Sequence, residues 1–279
     1  MEGFKDPIRE KGVIFAPERT KRPHEWRGGF VCPFCPGNEG LTPPEILRVE
    51  ENGEWIIRVF PNKYPFSKHH EVIVEHRKHY ADIDGYDIGH MERVLGVWME
   101  RLRYYSERPY TIIFRNYGQL AGASILHPHT QLVSLDFIPE IPLKESGNLK
   151  GENCALCNAG ENFYIAHNGE LMVGVPKIPF YPMEFWIFPK NHEREFYSFK
   201  NLRVLADVMI KSIRFVKRGL KVGDYNIILH SAPLDKDYHW HIEVIPRRGY
   251  MAGFEFGTGI NVNHHQPEKL FEGLKGFLK

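Results

Sequence analysis

The sequence predicts an α+β protein made of two tandem copies of one unit, each a mainly antiparallel sheet covered by a helix. Residues 111–116 and 225–230 are rich in β-branched residues, which is typical of strands. Residues 88–107 and 202–217 carry apolar residues three and four positions apart, which predicts helices with one buried face. The order strand, strand, helix, strand, strand occurs twice, so we expect each helix to cover the sheet of its own unit.

Matching segments identify the repeat. Residues 52–66 (NGEWIIRVFPNKYPF) match residues 168–182 (NGELMVGVPKIPFYP), and residues 71–79 (EVIVEHRKH) match residues 184–192 (EFWIFPKNH). We therefore expect an internal duplication. Between the units, residues 137–151 are rich in proline and glycine and predict an irregular connector. We place the two units at residues 1–145 and 146–279.

The composition is that of an ordinary soluble protein. The 279 residues are 42% hydrophobic and 25% charged, with a formal net charge of +1. This balance gives no electrostatic basis for binding nucleic acid or a membrane surface. The chain has no apolar run that could span a bilayer, and its first residues contain no apolar signal segment. We expect a cytoplasmic protein.

The four cysteines form two C-x-x-C pairs, which in a cytosolic protein favour metal binding over a structural disulfide. Each pair is followed by two histidines at nearly the same separation, since 127 − 79 = 48 and 239 − 192 = 47. Two cysteines with two histidines are a common ligand set of a tetrahedral zinc site. We expect two zinc ions per chain, with iron as an option in the second site. The predicted ligands are Cys32, Cys35, His79 and His127, then Cys154, Cys157, His192 and His239.

A second ligand set competes for the metal of the second unit. It combines a carboxylate from the connector with three histidines near the end of the chain. The sequence does not choose between this set and the second cysteine set. Its members are Glu145, His230, His239 and His241.

The main candidate site is the stretch FRNYGQLAGASILHPHTQ (residues 114–131), a strand end, a glycine-bearing loop and a new strand. In the loop, the glycines allow backbone angles that side chains forbid, and short polar side chains can reach phosphate or ribose oxygens. His127, His129 and Gln131 alternate along the new strand, so they share one face. The candidate loop residues are Asn116, Gly118, Gly122 and Ser124.

These residues suggest covalent catalysis. If His127 is held by a metal, His129 is free to attack a phosphorus atom. A backbone carbonyl would accept its Nδ1–H and leave Nε2 as the nucleophile. The Gln131 amide can donate to a phosphoryl oxygen but cannot act as a general acid, which favours transfer to a phosphate over hydrolysis. Arg19 and Arg22 are candidates for holding phosphates.

The motif F-R-N-x-G-x-x-x-G-A-S-x-x-H-P-H-T-Q closely resembles the galactose-1-phosphate uridylyltransferase family of the histidine-triad superfamily. The segment R-T-K-R-P around Arg19 and Arg22 resembles its N-terminal segment, residues 60–62 its nucleotide-binding turn, and residues 253–255 its sugar-contacting segment. The resemblance implies two histidine-triad-like units, with Asn62 and Glu255 as substrate contacts. It matches the first cysteine set to the family's zinc ligands, and the set containing Glu145 to a second metal site of some members.

The resemblance also implies a reaction. UDP-glucose would uridylylate His129 and release glucose 1-phosphate, and galactose 1-phosphate would then accept the group to give UDP-galactose. Gln131 falls at the partner glutamine, and a homodimer with a shared active site is expected.

Other functions stay open. The second C-x-x-C pair is shared with similar adenylyl-transferring phosphorylases that act on ADP-glucose. A histidine-triad hydrolase is disfavoured because Gln131 stands in place of the third histidine. A zinc-stabilised nucleotide-binding module without catalysis is the alternative from another class.

Overall fold

The computed structural model describes residues 4–26, 29–159 and 164–279. The strands are β1 (Phe4–Lys5), β2 (Gly12–Val13), β3 (Leu47–Glu51), β4 (Glu54–Pro61), β5 (His69–Val74), β6 (Tyr110–Tyr117), β7 (His129–Leu135), β8 (Tyr164–His167), β9 (Leu171–Gly174), β10 (Phe185–Pro189), β11 (Asp224–His230) and β12 (His241–Arg247). The α-helices are α1 (Ile88–Tyr104), α2 (Glu140–Asn148), α3 (Leu202–Arg214), α4 (Gly253–Thr258) and α5 (Pro267–Leu278).

The α+β class is confirmed, and the strands of the two predicted units form one sheet. Ten strands lie in the order β3-β4-β5-β7-β6-β11-β12-β10-β9-β8. The second half of this order repeats the first half in mirror sequence. The halves join where β6 pairs antiparallel with β11, with Phe114 opposite Ile228. The join removes two sheet edges that would otherwise expose unpaired backbone groups.

Both long helices pack into a common hydrophobic core. Trp98 of α1 and Met209 of α3 are fully buried in one cluster with Ile57 of β4 and Val244 of β12. The other face of the sheet carries two smaller clusters, and each contains a C-x-x-C segment. The sheet therefore separates a helix layer from a layer that holds the cysteines.

Matching hairpins at the two outer edges support the duplication. Asn52 and Gly53 connect β3 to β4, and Asn168 and Gly169 connect β8 to β9. All four residues have positive φ, from +47° to +80°. Asn-Gly turns of this kind are favoured because their twist matches that of the strands. The short outer strands β3 and β8 are absent from the sequence prediction.

The predicted irregular connector was wrong in its middle part, because residues 140–148 form α2. Pro139 precedes the helix and Pro142 lies in its first turn, where the missing N–H removes no intrahelical bond. The expected unit boundary between residues 145 and 146 falls within this helix. Helix α1 ends at Tyr104 rather than at residue 107, and α3 passes into a π-helical turn at Phe215–Gly219.

None of the helices in the described ranges has both the length and the apolar character needed to cross a membrane.

Candidate active site and metal centres

The structure brings the four predicted ligands of the first metal site together beside β7. The Nδ1 atom of His127 lies 3.7 Å from Cys32 Sγ and 3.5 Å from Cys35 Sγ, and His79 Nδ1 lies 3.3 Å from Cys35 Sγ. A tetrahedral ion with the usual zinc–sulfur and zinc–nitrogen bond lengths separates such atoms by about 3.5 Å. The donor set and its spacing therefore fit zinc.

Both histidines of this group are oriented by hydrogen bonds on the other side of the ring. His79 Nε2 lies 2.9 Å from Glu25 Oε1, and His127 Nε2 lies 2.7 Å from the carbonyl oxygen of His76. These contacts place the ring N–H on Nε2 and leave each Nδ1 lone pair facing the cysteines. Partners of this kind are typical of metal-binding histidines.

The second cysteine set has the same construction. Cys154 Sγ and Cys157 Sγ each lie 3.4 Å from His239 Nδ1, and Cys157 Sγ lies 3.4 Å from His192 Nδ1. His192 Nε2 lies 3.0 Å from Asp237 Oδ1. His239 Nε2 lies 2.9 Å from the carbonyl oxygen of Pro189. Each site thus has one carboxylate partner and one backbone carbonyl partner, and no sequence pattern identified either carboxylate.

The competing ligand set is only partly assembled. Glu145, His230 and His241 form a group with the spacing of metal ligands. His239 faces the cysteines through Nδ1, and its Nε2 lies 2.9 Å from the carbonyl oxygen of Pro189. Both ring nitrogens of His239 are thus engaged, and this geometry favours the cysteine set.

The candidate nucleophile has the predicted orientation. His129 Nδ1 lies 2.8 Å from the carbonyl oxygen of His127, so the proton is on Nδ1 and the lone pair is on Nε2. Burial lowers the pKa of His129 to about 4, and the cations Arg115 and Arg22 act in the same direction. The imidazole is therefore neutral near neutral pH.

His129 borders a cavity of about 260 Å³ on the cysteine side of the sheet. None of the described residues that line it carries a carboxylate, whereas Arg19, Arg22 and Lys63 contribute positive charge. Burial lowers the pKa of Arg22, and within the described part of the chain its Nε has no hydrogen-bond partner. A cavity with two arginines, a lysine and no acidic group among its described lining residues suits phosphates. The predicted site residues that line it are Arg19, Arg22, Asn62, Ser124, His129 and Gln131.

Gln131 contacts a residue that the sequence analysis missed. The Nε2 atom of His70 lies 2.9 Å from Gln131 Oε1, and Asn62 Nδ2 lies 3.4 Å from the same oxygen. His70 is only 3% exposed. Its position on β5, two residues before Val72, which pairs with Gln131, is the signal that identifies it.

A buried ionic network supports β7 from the helix side. Thr130, between His129 and Gln131, points to the opposite face and donates to Glu75. Arg115 Nε donates to Glu75 Oε2 at 3.0 Å, and its Nη1 donates to Asp82 Oδ1 at 2.8 Å. All these side chains are at most 5% exposed. The network fixes the strand that carries His129.

Three predicted loop residues do not line the cavity. Asn116 Oδ1 instead accepts a hydrogen bond of 2.8 Å from Asn226 on β11. Gly118 and Gly122 have the expected positive φ, +88° and +80°. A Cβ on Gly118 would fall 2.3 Å from the Asp224 side chain, so this glycine is needed for packing between the halves. Their contact with substrate stays a prediction.

Glu255 lies at the start of α4 and lines a separate cavity of about 250 Å³ with His264 and His265. It is therefore apart from the His129 cavity of its own chain, and its contact with a sugar stays a prediction.

Family models match most of the chain. Residues 98–278 match the model described as domain of unknown function (DUF4921), which covers more than half of the sequence. Residues 19–138 match the N-terminal domain of a second domain of unknown function (DUF4931).

Named relatives match over nearly the full length. An ADP-glucose phosphorylase from Arabidopsis thaliana is 28% identical, over 97% of this chain and 91% of the relative. A galactose-1-phosphate uridylyltransferase from Thermotoga maritima is 26% identical, over 99% of this chain and 98% of the relative. A crystal structure of an Arabidopsis thaliana ADP-glucose phosphorylase with bound ADP-glucose superposes with a TM-score of 0.80 at 28% identity, covering 98% of both chains. The chain belongs to the DUF4921 family and is an enzyme of the galactose-1-phosphate uridylyltransferase-like group of the histidine-triad superfamily.

Proposed function

We propose that this enzyme transfers a nucleotidyl group from a nucleoside diphosphate sugar to a phosphate acceptor through a covalent bond to His129. The observation that carries the proposal is the orientation of His129, whose Nδ1–H is held by the His127 carbonyl while Nε2 is available beside a cationic cavity. A neutral imidazole nitrogen is a competent nucleophile toward phosphorus.

In the first step, Nε2 of His129 attacks the α-phosphorus of UDP-glucose. The bond from that phosphorus to the bridging oxygen breaks, and glucose 1-phosphate leaves with the electron pair. In the second step, a phosphate oxygen of galactose 1-phosphate attacks the same phosphorus, and the phosphorus–nitrogen bond breaks. UDP-galactose leaves, and His129 returns to its neutral form.

The other cavity residues have matching roles in this proposal. The amide of Gln131 donates to a nonbridging oxygen as negative charge develops there. Arg19 and Arg22 balance the charge of the phosphates. Asn62 and Ser124 are donors and acceptors for the nucleotide. No general acid is required, because a phosphate leaving group departs as an anion.

The metal centres act as supports for this site. Two zinc ions would be held by the two cysteine sets, with iron as an option in the second. A metal ion in the first site would supply structural cross-linking among residues 32–35, His79 and His127. His127 in turn presents the carbonyl that orients His129, so the site and the metal ligands are adjacent along the chain.

A second candidate substrate pair is ADP-glucose with inorganic phosphate, which would give ADP and glucose 1-phosphate by the same two steps. The specific observation in its favour is the 28% identity to an ADP-glucose phosphorylase over 97% of this chain. The second cysteine pair is the sequence feature that agrees with it. Both candidates use His129 in the same way and differ in base and acceptor.

The test is an intact-protein mass spectrum after brief incubation with UDP-glucose or ADP-glucose under mildly alkaline conditions, where a phosphorus–nitrogen bond survives. A uridylyl adduct supports the first pair, and an adenylyl adduct alone supports the second. The location of either adduct on His129 is checked by peptide mapping. Absence of both adducts in protein with full metal content contradicts covalent transfer and favours a nucleotide-binding module.

The oligomeric state is part of this proposal. We propose a homodimer in which residues 253–255 of a second copy reach the sugar, because Glu255 lies apart from the cavity of its own chain. Sedimentation of the purified protein tests the dimer, and a monomer that retains full transfer activity contradicts it.

A further inference from the structure

His70 is a buried polar residue in contact with Gln131 that the mechanism above does not use. It is the second residue of β5 and is 3% exposed. Its ring packs against Phe66 with 4.4 Å between ring centroids. Its two nitrogens make different contacts, and these determine where its proton lies.

The contact with Phe66 fixes the tautomer. The backbone N–H of Phe66 lies 3.4 Å from His70 Nδ1 and can only donate, so Nδ1 accepts. Burial lowers the pKa of His70 to about 4, so the ring is neutral near neutral pH. The single proton is then on Nε2, which donates to Gln131 Oε1 at 2.9 Å.

A second donor reaches the same oxygen. The backbone N–H of Tyr64 donates to Asn62 Oδ1 at 2.8 Å, which fixes the orientation of that amide. Asn62 Nδ2 therefore faces the His70–Gln131 pair, 3.1 Å from His70 Nε2 and 3.4 Å from Gln131 Oε1. Because Nε2 carries the ring proton and cannot accept, the Asn62 N–H donates to Gln131 Oε1. A carbonyl oxygen has two lone pairs and accommodates both donors. A flipped Gln131 would place its own NH₂ against them.

We propose that His70 is a positioning residue that holds the Gln131 carbonyl and so presents the Gln131 NH₂ group to the phosphoryl group being transferred. The inference rests on the proposed function, because it requires a phosphoryl group beside His129. Without the His70 donor, Gln131 can turn its carbonyl oxygen toward the substrate, where it repels the phosphoryl oxygens. The effect falls on the step in which charge develops at phosphorus.

The test uses two variants of the full-length protein. His70→Phe keeps an aromatic ring against Phe66 but removes the donor, whereas His70→Gln supplies an amide N–H near the position of Nε2. Single-turnover adduct formation is measured with UDP-glucose and ADP-glucose, together with the KM for each. We expect His70→Phe to slow adduct formation by roughly 10- to 100-fold with little change in KM, and His70→Gln to restore most of the rate.

A second background separates positioning from general structural damage. In Gln131→Leu the group on which His70 acts is absent, so adding His70→Phe should cause no further loss. The same loss in both backgrounds, or a normal rate in His70→Phe, overturns the inference while the proposed function stands. A wild-type protein that forms no adduct overturns both.

The tautomer provides a measurement that needs no substitution. In wild-type protein with ¹⁵N-labelled histidine, the shifts should identify His70 as protonated on Nε2 and unprotonated on Nδ1. The opposite tautomer overturns the inference even if His70→Phe does not fold.

Discussion

The two halves of the molecule build the same scaffold around different interiors. In each, two cysteines and two histidines have the spacing of a tetrahedral site. In each, one of these histidines is followed two residues later by another, whose Nδ1 contacts the carbonyl oxygen of the first. The distance is 2.8 Å for His129 and 3.1 Å for His241.

The difference lies in what covers this second histidine. His129 borders a cavity, whereas His241 is stacked between Trp186 and His230, at 4.7 and 4.5 Å between ring centroids. His230 in turn lies 3.2 Å from Glu145 and 3.3 Å from Glu243. The second half therefore uses its interior for packing and ion pairs, with α2 supplying Glu145.

Strand register identifies the equivalent positions at which the two halves carry different residues. Val72 pairs with Gln131, and Trp186 pairs with Glu243. The same register places His70 in the first half where Glu184 lies in the second, two residues before each of these strand partners. The two halves therefore share the scaffold and differ at these few register positions, of which Val72 and Gln131 in the first half border the cavity of the proposed reaction.

The sharpest test of this comparison substitutes the two equivalent histidines. We expect His129→Ala to lower transfer by at least roughly 1,000-fold, because the nucleophile is lost, with a change in unfolding free energy within about 1 kcal/mol. His241→Ala should lower stability by roughly 2–4 kcal/mol, because it leaves a buried void, while the folded protein still transfers. Adduct mass and thermal unfolding of both variants test this, and an adduct on His129→Ala contradicts it.

The metal sites should differ in their effect on transfer. Cys32→Ser and Cys154→Ser should each remove one metal ion per chain and destabilise the protein by several kcal/mol. Only Cys32→Ser should also impair transfer strongly, because His127 presents the carbonyl that orients His129. Elemental analysis, thermal unfolding and single-turnover rates measure these effects. An unchanged metal content and melting temperature in Cys32→Ser would refute the first site.

The sequence was sufficient for the scaffold because the scaffold depends on repeated, local signals. The C-x-x-C pairs, the histidine separations and the alternation around His129 are properties of composition and spacing, and the structure brings these groups together. The positions of α1 and α3 followed from apolar periodicity.

The remaining features depend on long-range pairing. Glu25 reaches His79 across 54 residues, and Arg115 reaches Glu75 across 40. The junction of β6 with β11 and the contact of His70 with Gln131 depend on strand register, which one sequence does not reveal. Helix α2 was missed because proline and glycine predict irregular structure. Its prolines lie only before the helix and in the first turn, where they are tolerated.

Exchanging the polar residues at the equivalent positions 131 and 243 tests the difference between the two interiors with smaller expected effects. Gln131→Glu places a carboxylate beside the phosphates, so we expect transfer to fall about 100-fold. Glu243→Gln weakens the contact with His230 and should lower stability by about 1–3 kcal/mol without changing the transfer rate. Single-turnover kinetics and chemical denaturation measure the two effects. A loss of transfer in Glu243→Gln would contradict the view that the second interior is structural.

The most gradual expected effect is an opposite pH dependence of stability at the equivalent residues His70 and Glu184. Burial lowers the pKa of His70 from 6.5 to about 4, so its contribution to stability is present above pH 6.5 and is lost as the pH falls through 4. Burial raises the pKa of Glu184 from 4.5 to about 7, and nearby Glu243 also raises it, so its contribution is present below pH 4.5 and is lost as the pH rises through 7. Each changes by at most about 1.4 kcal/mol per pH unit. Unfolding free energies of wild type, His70→Gln and Glu184→Gln between pH 4 and 8 measure this. The stability advantage of wild type over His70→Gln should grow with pH, and that over Glu184→Gln should shrink; slopes of the same sign would contradict the different environments of these two positions.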